Sequence, residues 1–455
     1  MTMNRANFGW LDIIRIGFVQ TAIGAVVVLT TSTLNRVMVV ELALPAALPG
    51  LLVAIHYFVQ FTRPRFGYGS DIGGKRTPWI IGGMAVLAAG GVLAAAGVAF
   101  MATSQLAGIA LAFVAFLLIG AGVGACGTSL LVLLAAGVAD NQRAAAATLT
   151  WTMMITGFAL TAGIAGAFLD PFSFPRLIVV TGIVSAIALS ITIASVWKLE
   201  RKVEKQSEND DSGTAEKREK PAFLPALRQV MGEPHTLRFG IFVFISMLAY
   251  SAQDLVLEPF AGLVFGLTPG ESTQLGGIQY GGILSGMLFV ALAGLKVRKS
   301  AGGLRAFMIT GCLLSAGMLA CLALSGFLGP PWPLKLNVFA LGFANGAYAV
   351  AAIGAMMWLV SEGDPARRGT RMGVWGAAQA VAFGLGGILG TASVDILNWM
   401  FNSDSFAYAM IFVAQSLLFL TSAFLARSID PGPASEQIQS APSITASTMV
   451  RLNEN

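Results

Sequence analysis

The sequence predicts an all-α integral membrane protein in which twelve transmembrane helices form two pseudo-symmetric halves of six helices each. The first observation is composition: 56% of the 455 residues are hydrophobic, 11% are charged, and the mean hydropathy is +0.75, whereas soluble domains carry about 25% charged residues. The second is a set of twelve apolar segments, each long enough to cross a bilayer, which takes about 20 helical residues. The third is a charged stretch that separates six of these segments from the other six.

Each transmembrane helix is predicted from an apolar run of membrane-spanning length. In chain order the runs lie at residues 12–40, 46–66, 78–101, 106–139, 144–168, 174–198, 236–262, 274–295, 303–327, 333–361, 371–394 and 403–427.

The distribution of Lys and Arg predicts that both chain termini face the cytoplasm. Cytoplasmic loops carry an excess of these residues, and with twelve spans only Arg36, Arg176 and Lys335 of the 28 fall on the outer side. Residues 1–10 lack a charged region followed by a cleavable apolar stretch, and the first span is too long for a signal peptide. We therefore expect a multi-pass protein whose first span is retained.

A highly charged segment divides the chain once. Residues 198–220 contain seven basic and seven acidic side chains together with Ser, Asn and Gly, and such a segment buries too little apolar surface to fold by itself. We expect an N-terminal six-helix half at 1–198, a cytoplasmic charged linker at 199–235, a C-terminal six-helix half at 236–427 and a disordered cytoplasmic tail at 428–455.

An internal repeat supports the division into two similar halves. Residues at equivalent places in the halves align as four pairs, which are Gly120 with Gly342, Gly124 with Gly346, Trp151 with Trp375, and Asp170 with Asp395. Parallel repeats of this kind are expected to face each other across a central site near the membrane midplane.

Composition and motifs argue against several classes of function. The basic residues are spread over short loops rather than clustered on one soluble face, despite a net charge of +5, which argues against nucleic-acid binding. Cys126, Cys312 and Cys321 all lie in predicted spans without CxxC spacing, so neither a disulfide nor a free metal site is expected. The chain has two histidines and no Walker, GxSxG, HExxH or dinucleotide motif, which predicts neither an enzyme nor a nucleotide-binding protein.

Ionisable residues near the outer ends of spans 1 and 7 are candidates for an outer gate. Asp254 and Glu258 are four residues apart and share one helical face. Arg36 lies about 31 Å beyond Arg15 along a helix, hence near the outer surface. Spans 1 and 7 occupy equivalent places in the two halves, so Arg36 could meet Glu258 or Asp254 across the central axis. The alternative is a local pair between Arg36 and Glu41, or exposure of Arg36 to water.

The loop between spans 2 and 3 carries a recognisable pattern. It reads G-x-x-x-D-x-x-G-K-R, and its named residues are Gly67, Asp71, Gly74, Lys75 and Arg76. The pattern resembles the signature loop between helices 2 and 3 of the major facilitator superfamily, with Ile72 where the family usually has arginine. The resemblance implies a major facilitator fold in which Asp71 helps to control the rocking of spans within the N-terminal half. The loop at 294–303 has no acid at the equivalent place.

The first span narrows the resemblance to one branch of that superfamily. Residues 33–42, together with residues 63–71, resemble the bacteriochlorophyll-delivery branch, the PucC and LhaA type. That resemblance implies a factor that assists assembly of light-harvesting complexes or hands over bacteriochlorophyll or a precursor. It also implies residence in the bacterial inner, intracytoplasmic photosynthetic membrane. Besides membrane lipid, the implied partners are antenna subunits, bacteriochlorophyll synthase or geranylgeranyl reductase. The Arg-Thr-Pro-Trp run at 76–79 favours the group associated with pigment-synthesis enzymes.

His56 in the second span is a candidate pigment ligand. A neutral imidazole can bind the magnesium of a chlorin through one ring nitrogen while a partner holds the other nitrogen. Tyr57 and Gln60 lie beside it or one turn away. Trp151 and Trp375 could line a flat apolar pocket near the cytoplasmic side, since both begin a span after an inner loop. Two alternatives stay open, namely interior hydrogen bonding for the histidine, and packing or interface anchoring for the tryptophans.

Two other functions stay open at this point. One is a proton-coupled transporter of a small solute, and the other is a scaffold that binds partner helices on its lipid face and moves nothing. Most charges in the sequence sit at the predicted membrane surfaces rather than at the midplane, where coupling acids are expected. The sequence therefore favours a hydrophobic cargo.

Overall fold

The computed structural model describes residues 8–60, 75–139, 142–200, 232–297, 302–362 and 368–429, and every regular element in these ranges is a helix. Twelve helices are present there: α1 (Trp10–Glu41), α2 (Ala47–Val59), α3 (Thr77–Met101), α4 (Gln105–Gly137), α5 (Arg143–Leu169), α6 (Phe174–Val196), α7 (Pro234–Phe265), α8 (Pro269–Val297), α9 (Gly302–Leu328), α10 (Leu334–Glu362), α11 (Arg368–Phe401) and α12 (Asp404–Ala426).

Local sequence accounts for where several helices begin and end. Proline occupies the first or second position of α3, α6, α7 and α8, where its missing N–H would have no partner within the helix. Gly266 ends α7 with φ of 67°, and its N–H donates to the carbonyl of Gly262 at 3.1 Å. A left-handed residue at this position is favourable for glycine and closes the helix.

Eleven of the twelve helices are long and apolar enough to cross a membrane. The exception is α2, for which the sequence predicts a span at 46–66. Its helix ends at Val59, and residues 61–74 lie outside the described part of the chain. In α8 and α11 the helices extend beyond the predicted spans at both ends.

The helix packing repeats between the two halves of the chain. In the first half α1 packs on α5 and α6, α3 packs on α4 and α6, and α2 packs on α4. The second half reproduces this scheme, with α7 on α11 and α12, α9 on α10 and α12, and α8 on α10. The halves meet mainly through α2 with α11 and α5 with α8, which are equivalent pairs under the same symmetry. The prediction of two pseudo-symmetric six-helix halves is confirmed.

Two glycines that align in the sequence repeat have the same role in the fold. A Cβ at Gly120 of α4 would lie 2.6 Å from the carbonyl oxygen of His56 in α2, and a Cβ at Gly342 of α10 would lie 2.1 Å from the carbonyl oxygen of Gln279 in α8. Such backbone approach requires glycine, and small residues at contacts are the usual basis of helix packing in lipid.

The linker and tail expected from composition lie almost wholly outside the described part, which omits residues 201–231 and 430–455. Their boundaries stay predictions. The described apolar side chains form two buried clusters, one dominated by α1–α6 and the other by α7–α12.

Candidate functional site

The end of α1 supplies several of the polar contacts between the two halves. Within α1 the segments Leu29–Thr33 and Val37–Glu41 are π-helical, a rare form that is frequent at functional sites. We call this end of the bundle, where α1 finishes and α2 begins, the outer end, after the topology expected from the sequence.

Three hydrogen bonds join this part of α1 to α7 and α8. The Ser32 hydroxyl donates to Glu258 Oε1 at 2.6 Å, and the Asn35 amide donates to the carbonyl of Leu255 at 2.6 Å. The hydroxyls of Thr33 and Thr273 share a hydrogen bond of 3.1 Å. The π-helical register therefore turns several polar side chains toward the opposite half.

Arg36 contacts the other half through a backbone carbonyl and forms no ion pair with Glu258 or Asp254 among the ion pairs of the described residues. Its guanidinium is 2% exposed and forms its ion pair with Glu41, the local alternative. A second guanidinium nitrogen donates to the carbonyl of Leu267 at 2.6 Å, so the contact across the halves is made with the backbone after α7. Glu258 instead accepts from Ser32.

The two acids of α7 lie beneath this arginine. Glu258 is 1% exposed, and its second carboxylate oxygen finds no hydrogen-bond partner among the described residues. Asp254 lies one turn earlier and is half-buried. Its Oδ1 also finds no hydrogen-bond partner among the described residues. Glu258 lies against Gly276 of α8, where an added Cβ would be 2.9 Å from Glu258 Oε1. Two carboxyl groups thus sit at the junction of α1, α7 and α8.

Two aspartates at the outer end bind the starts of helices in the opposite half, Asp395 through backbone N–H groups and Asp170 through a threonine hydroxyl. Asp395 of α11 accepts from the N–H groups of Ala46 and Ala47, at 2.8 Å each, at the start of α2. Asp170, which follows α5, accepts from the Thr268 hydroxyl at 2.7 Å, immediately before α8. A carboxylate at a helix N-terminus is stabilised by free N–H groups and the helix dipole. The sequence repeat aligned these two aspartates but assigned them no role. Their equivalent places in the two halves were the available sign that both bind at the contact between the halves.

The structure brings together the candidate pigment-binding residues of α2 and its C-terminal end. His56 is 1% exposed, and its Nε2 lies 2.9 Å from the Gln60 side-chain nitrogen, one turn away. The Tyr57 ring meets the His56 ring edge-on at 4.9 Å. These three side chains form one cluster.

Aromatic residues that sequence reasoning missed extend this cluster into the other half. Tyr57 packs on Phe383 of α11 at a centroid distance of 5.4 Å, and Phe383 lies 6.0 Å from Tyr250 of α7. A second pair joins Phe158 of α5 to Tyr280 of α8 at 4.9 Å. We call these five rings the interface aromatics. Tyr250 lies one turn before Asp254 on the same face of α7, which was the available signal.

The two tryptophans proposed as a pocket lining have different environments. Trp375 is 1% exposed, donates its Nε1–H to the carbonyl of Thr236 at 3.0 Å and packs on Phe239 at 4.8 Å. It therefore anchors α11 to α7 within one half. Trp151 is 41% exposed on α5. The structure does not bring the two into one pocket.

The signature loop falls mostly outside the described residues, which omit Gly67, Asp71 and Gly74. Lys75 is exposed. The backbone N–H groups of Arg76 and Thr77 donate to the Glu200 carboxylate, the second at 2.9 Å. This acid caps the start of α3 from the end of α6. In the described ranges no group of three His, Cys, Asp or Glu side chains is placed to hold a metal ion.

Comparison with known proteins places the chain in one family. A family model described as PUCC protein matches residues 33–431. The chain is 50% identical over 425 residues, 93% of its length and 96% of the relative's, to a Rhodobacter capsulatus protein named bacteriochlorophyll synthase 44.5 kDa chain. It is 30% identical over 391 residues to Protein PucC of Rhodobacter capsulatus, covering 82% of this chain and 81% of that protein.

Solved structures show the fold. The D323A mutant of the nucleoside transporter NupG superposes with a TM-score of 0.66 at 17% identity, covering 92% of this chain and 99% of that one. An inward-facing bacterial homologue of the lysosomal transporter Spinster gives 0.64 at 13% identity, covering 93% and 98%. The protein is thus a multi-pass membrane protein with the major facilitator fold, and it belongs to the PUCC family.

Proposed function

We propose that this protein binds bacteriochlorophyll, or a precursor of it, within the membrane and hands the pigment over for assembly of light-harvesting complexes. The observation that carries the proposal is the similarity to a relative whose name links it to bacteriochlorophyll synthesis. The two chains are 50% identical over 96% of the relative's length. Identity over so much of both chains makes a related task the simplest inference.

The interface aromatics supply a suitable surface for such a cargo. Tyr57, Phe383 and Tyr250 form a continuous series of rings across the two halves. Flat aromatic groups stack favourably at centroid separations of about 4.5–7 Å, and a chlorin macrocycle is a flat aromatic cargo. Because the series joins α2 to α11 and α7, a pigment held there would contact both halves and respond to their relative movement.

His56 does not present a ready ligand in this conformation. Its Nε2 is engaged with Gln60 at 2.9 Å and the side chain is buried, so coordination of magnesium through Nε2 requires Gln60 to move away. We therefore assign the holding of the macrocycle to the aromatic rings. His56, which Gln60 holds, packs edge-on against Tyr57, and axial ligation by His56 is a secondary mode.

We also propose that this chain does not itself catalyse pigment synthesis. The proposal is supported by the sequence, which lacks recognised nucleotide-binding and hydrolase motifs. The expected partners are antenna subunits and bacteriochlorophyll synthase or geranylgeranyl reductase, in the intracytoplasmic photosynthetic membrane with both termini in the cytoplasm.

The delivery role is tested in a phototrophic bacterium that lacks the gene. Membranes of the deletion strain should show reduced near-infrared absorption from assembled antenna, and the wild-type gene should restore it. Phe383→Ala should restore only part of the absorption and Phe383→Tyr, which keeps a ring, most of it. Trp399→Ala is the matched control, because this ring is 86% exposed.

Equal restoration by Phe383→Ala and wild type, at equal amounts of protein in the membrane, would contradict a role of the interface aromatics in delivery. Full restoration by a variant shown to have lost pigment would favour the scaffold function. Solute flux catalysed by pigment-free protein in liposomes would favour the transporter, which the half-buried Asp254 and the buried Glu258 make the second candidate.

A further inference from the structure

We propose that Asp254 and Glu258 form a proton-binding site at the junction of the two halves, occupied while the outer end is closed. Neither the family resemblance nor the proposed pigment delivery requires such a site. The inference comes from the geometry of two acids, the half-buried Asp254 and the buried Glu258, that share one face of α7.

Glu258 is the better defined of the two acids. Its side chain is 1% exposed, Oε1 accepts from Ser32 at 2.6 Å, and Oε2 finds no partner among the described residues. A buried carboxylate oxygen without a donor is unfavourable when charged, because nothing compensates the lost hydration. A proton on that oxygen removes the charge.

Asp254 strengthens the argument because it lies one helical turn away. Side chains four residues apart on a helix have Cβ atoms about 5–6 Å apart, and its Oδ1 likewise finds no partner in the described ranges. Two negative charges at such a separation repel strongly in a medium of low dielectric constant. Close pairs of carboxyl groups relieve this repulsion by sharing a proton, which then belongs to the pair.

The other charged and titratable groups around the pair do not replace that proton. From α1 the facing group is Arg36, which attracts the Glu258 carboxylate but whose charge is shared with Glu41 and with the Leu267 carbonyl. The remaining titratable neighbours are tyrosines, which are neutral at ordinary pH: Tyr57 from α2, Tyr250 from α7, Tyr280 from α8 and Tyr348 from α10. The acid of α11 at this end, Asp395, accepts from the N–H groups at the start of α2, and α12 contributes Tyr408 near Asp395.

The site is linked to the closed outer end through α1. Ser32, which donates to Glu258, belongs to the same π-helical segment as Thr33, which bonds to Thr273. Separation of the halves at this end would break both bonds and admit water to Glu258. A hydrated carboxyl ionises more readily, so opening releases the proton and closing takes it up.

Infrared spectroscopy of pigment-free protein in lipid tests the proposal directly, since pigment carbonyl bands would interfere. The C=O stretch of a protonated buried carboxyl should be present at neutral pH and disappear at alkaline pH. The double variant Asp254→Asn/Glu258→Gln should lose the band, while Glu271→Gln should keep it, because Glu271 is exposed at the start of α8. Each single variant should shift the band.

Three results would overturn the proposal. The first is the absence of the band from folded wild-type protein at neutral pH, and the second is its persistence in the double variant. The third is loss of the band on adding sodium at constant pH, which would show that a metal cation displaces the proton. Because no pigment is present, none of these outcomes depends on whether the protein delivers bacteriochlorophyll.

Discussion

Replacement of Asp395 by asparagine should weaken the closure of the outer end. Its carboxylate accepts two backbone N–H groups of the opposite half, from Ala46 and Ala47, at 2.8 Å each. A hydrogen bond to a charged group contributes about 1.5–3 kcal/mol. Asparagine keeps one acceptor oxygen without the charge. We therefore expect a loss of about 2 kcal/mol, which raises the ratio of open to closed protein about 30-fold.

The rate of thiol labelling measures this ratio. Thr33 is 0% exposed and contacts Thr273 across the halves, so a Thr33→Cys thiol reacts only when the outer end opens. The native cysteines, Cys126, Cys312 and Cys321, are first replaced by alanine. If opening and closing are fast relative to labelling, the rate scales with the open fraction and should rise about 30-fold in Asp395→Asn.

Asp404→Asn is the matched control for this experiment. Asp404 also lies at the outer end, but it accepts from Asn398 within the same half. Its replacement removes the same charge and should leave the labelling rate unchanged. Equal rates in Asp395→Asn and the unsubstituted background would refute the capping argument, as would an equal rise in Asp404→Asn.

Three further predictions concern stability, measured as melting temperature in detergent. Gly346→Ala should destabilise the protein by about 1–3 kcal/mol, because its Cβ would lie 2.0 Å from a carbonyl oxygen of α8, whereas Gly281→Ala, with open space around it, should have little effect. Trp375→Phe should cost about 0.5–1.5 kcal/mol by removing a buried hydrogen bond to the Thr236 carbonyl; an unchanged melting temperature would contradict that bond. Glu233→Gln should cost about 1 kcal/mol, and less at high salt, because its two hydrogen bonds to Arg371 at 2.7 Å are partly exposed.

Most helices could be predicted from sequence because eleven of the twelve described helices are long apolar runs, and transfer of such a run into lipid dominates its placement. The repeat was also readable, since helix contact in lipid demands small residues at fixed places, as Gly120 and Gly342 show. The ends of α8 and α11 were harder to predict. Hydropathy falls near a membrane surface while the backbone hydrogen bonds of the helix continue.

The candidate site could be predicted only in part. The acids of α7 were identifiable because ionisable residues in apolar helices are rare. The ion-pair partner of Arg36 was not identifiable from the sequence. Glu41 and the acids of α7 were both within reach, and which of them pairs with Arg36 depends on backbone geometry. The π-helical turns of α1 leave no simple signature in composition. The pairing of Tyr57 with Phe383 depends on how two halves meet, which no local pattern specifies.

The pigment content of the purified protein tests the central claim most directly. Wild type and Phe383→Ala would be purified side by side in mild detergent from a phototrophic host, and their absorption spectra compared at equal protein concentration. We predict a chlorin spectrum in stoichiometric amount for wild type and a reduced amount for Phe383→Ala. Wild-type protein that is folded and free of pigment would contradict the account.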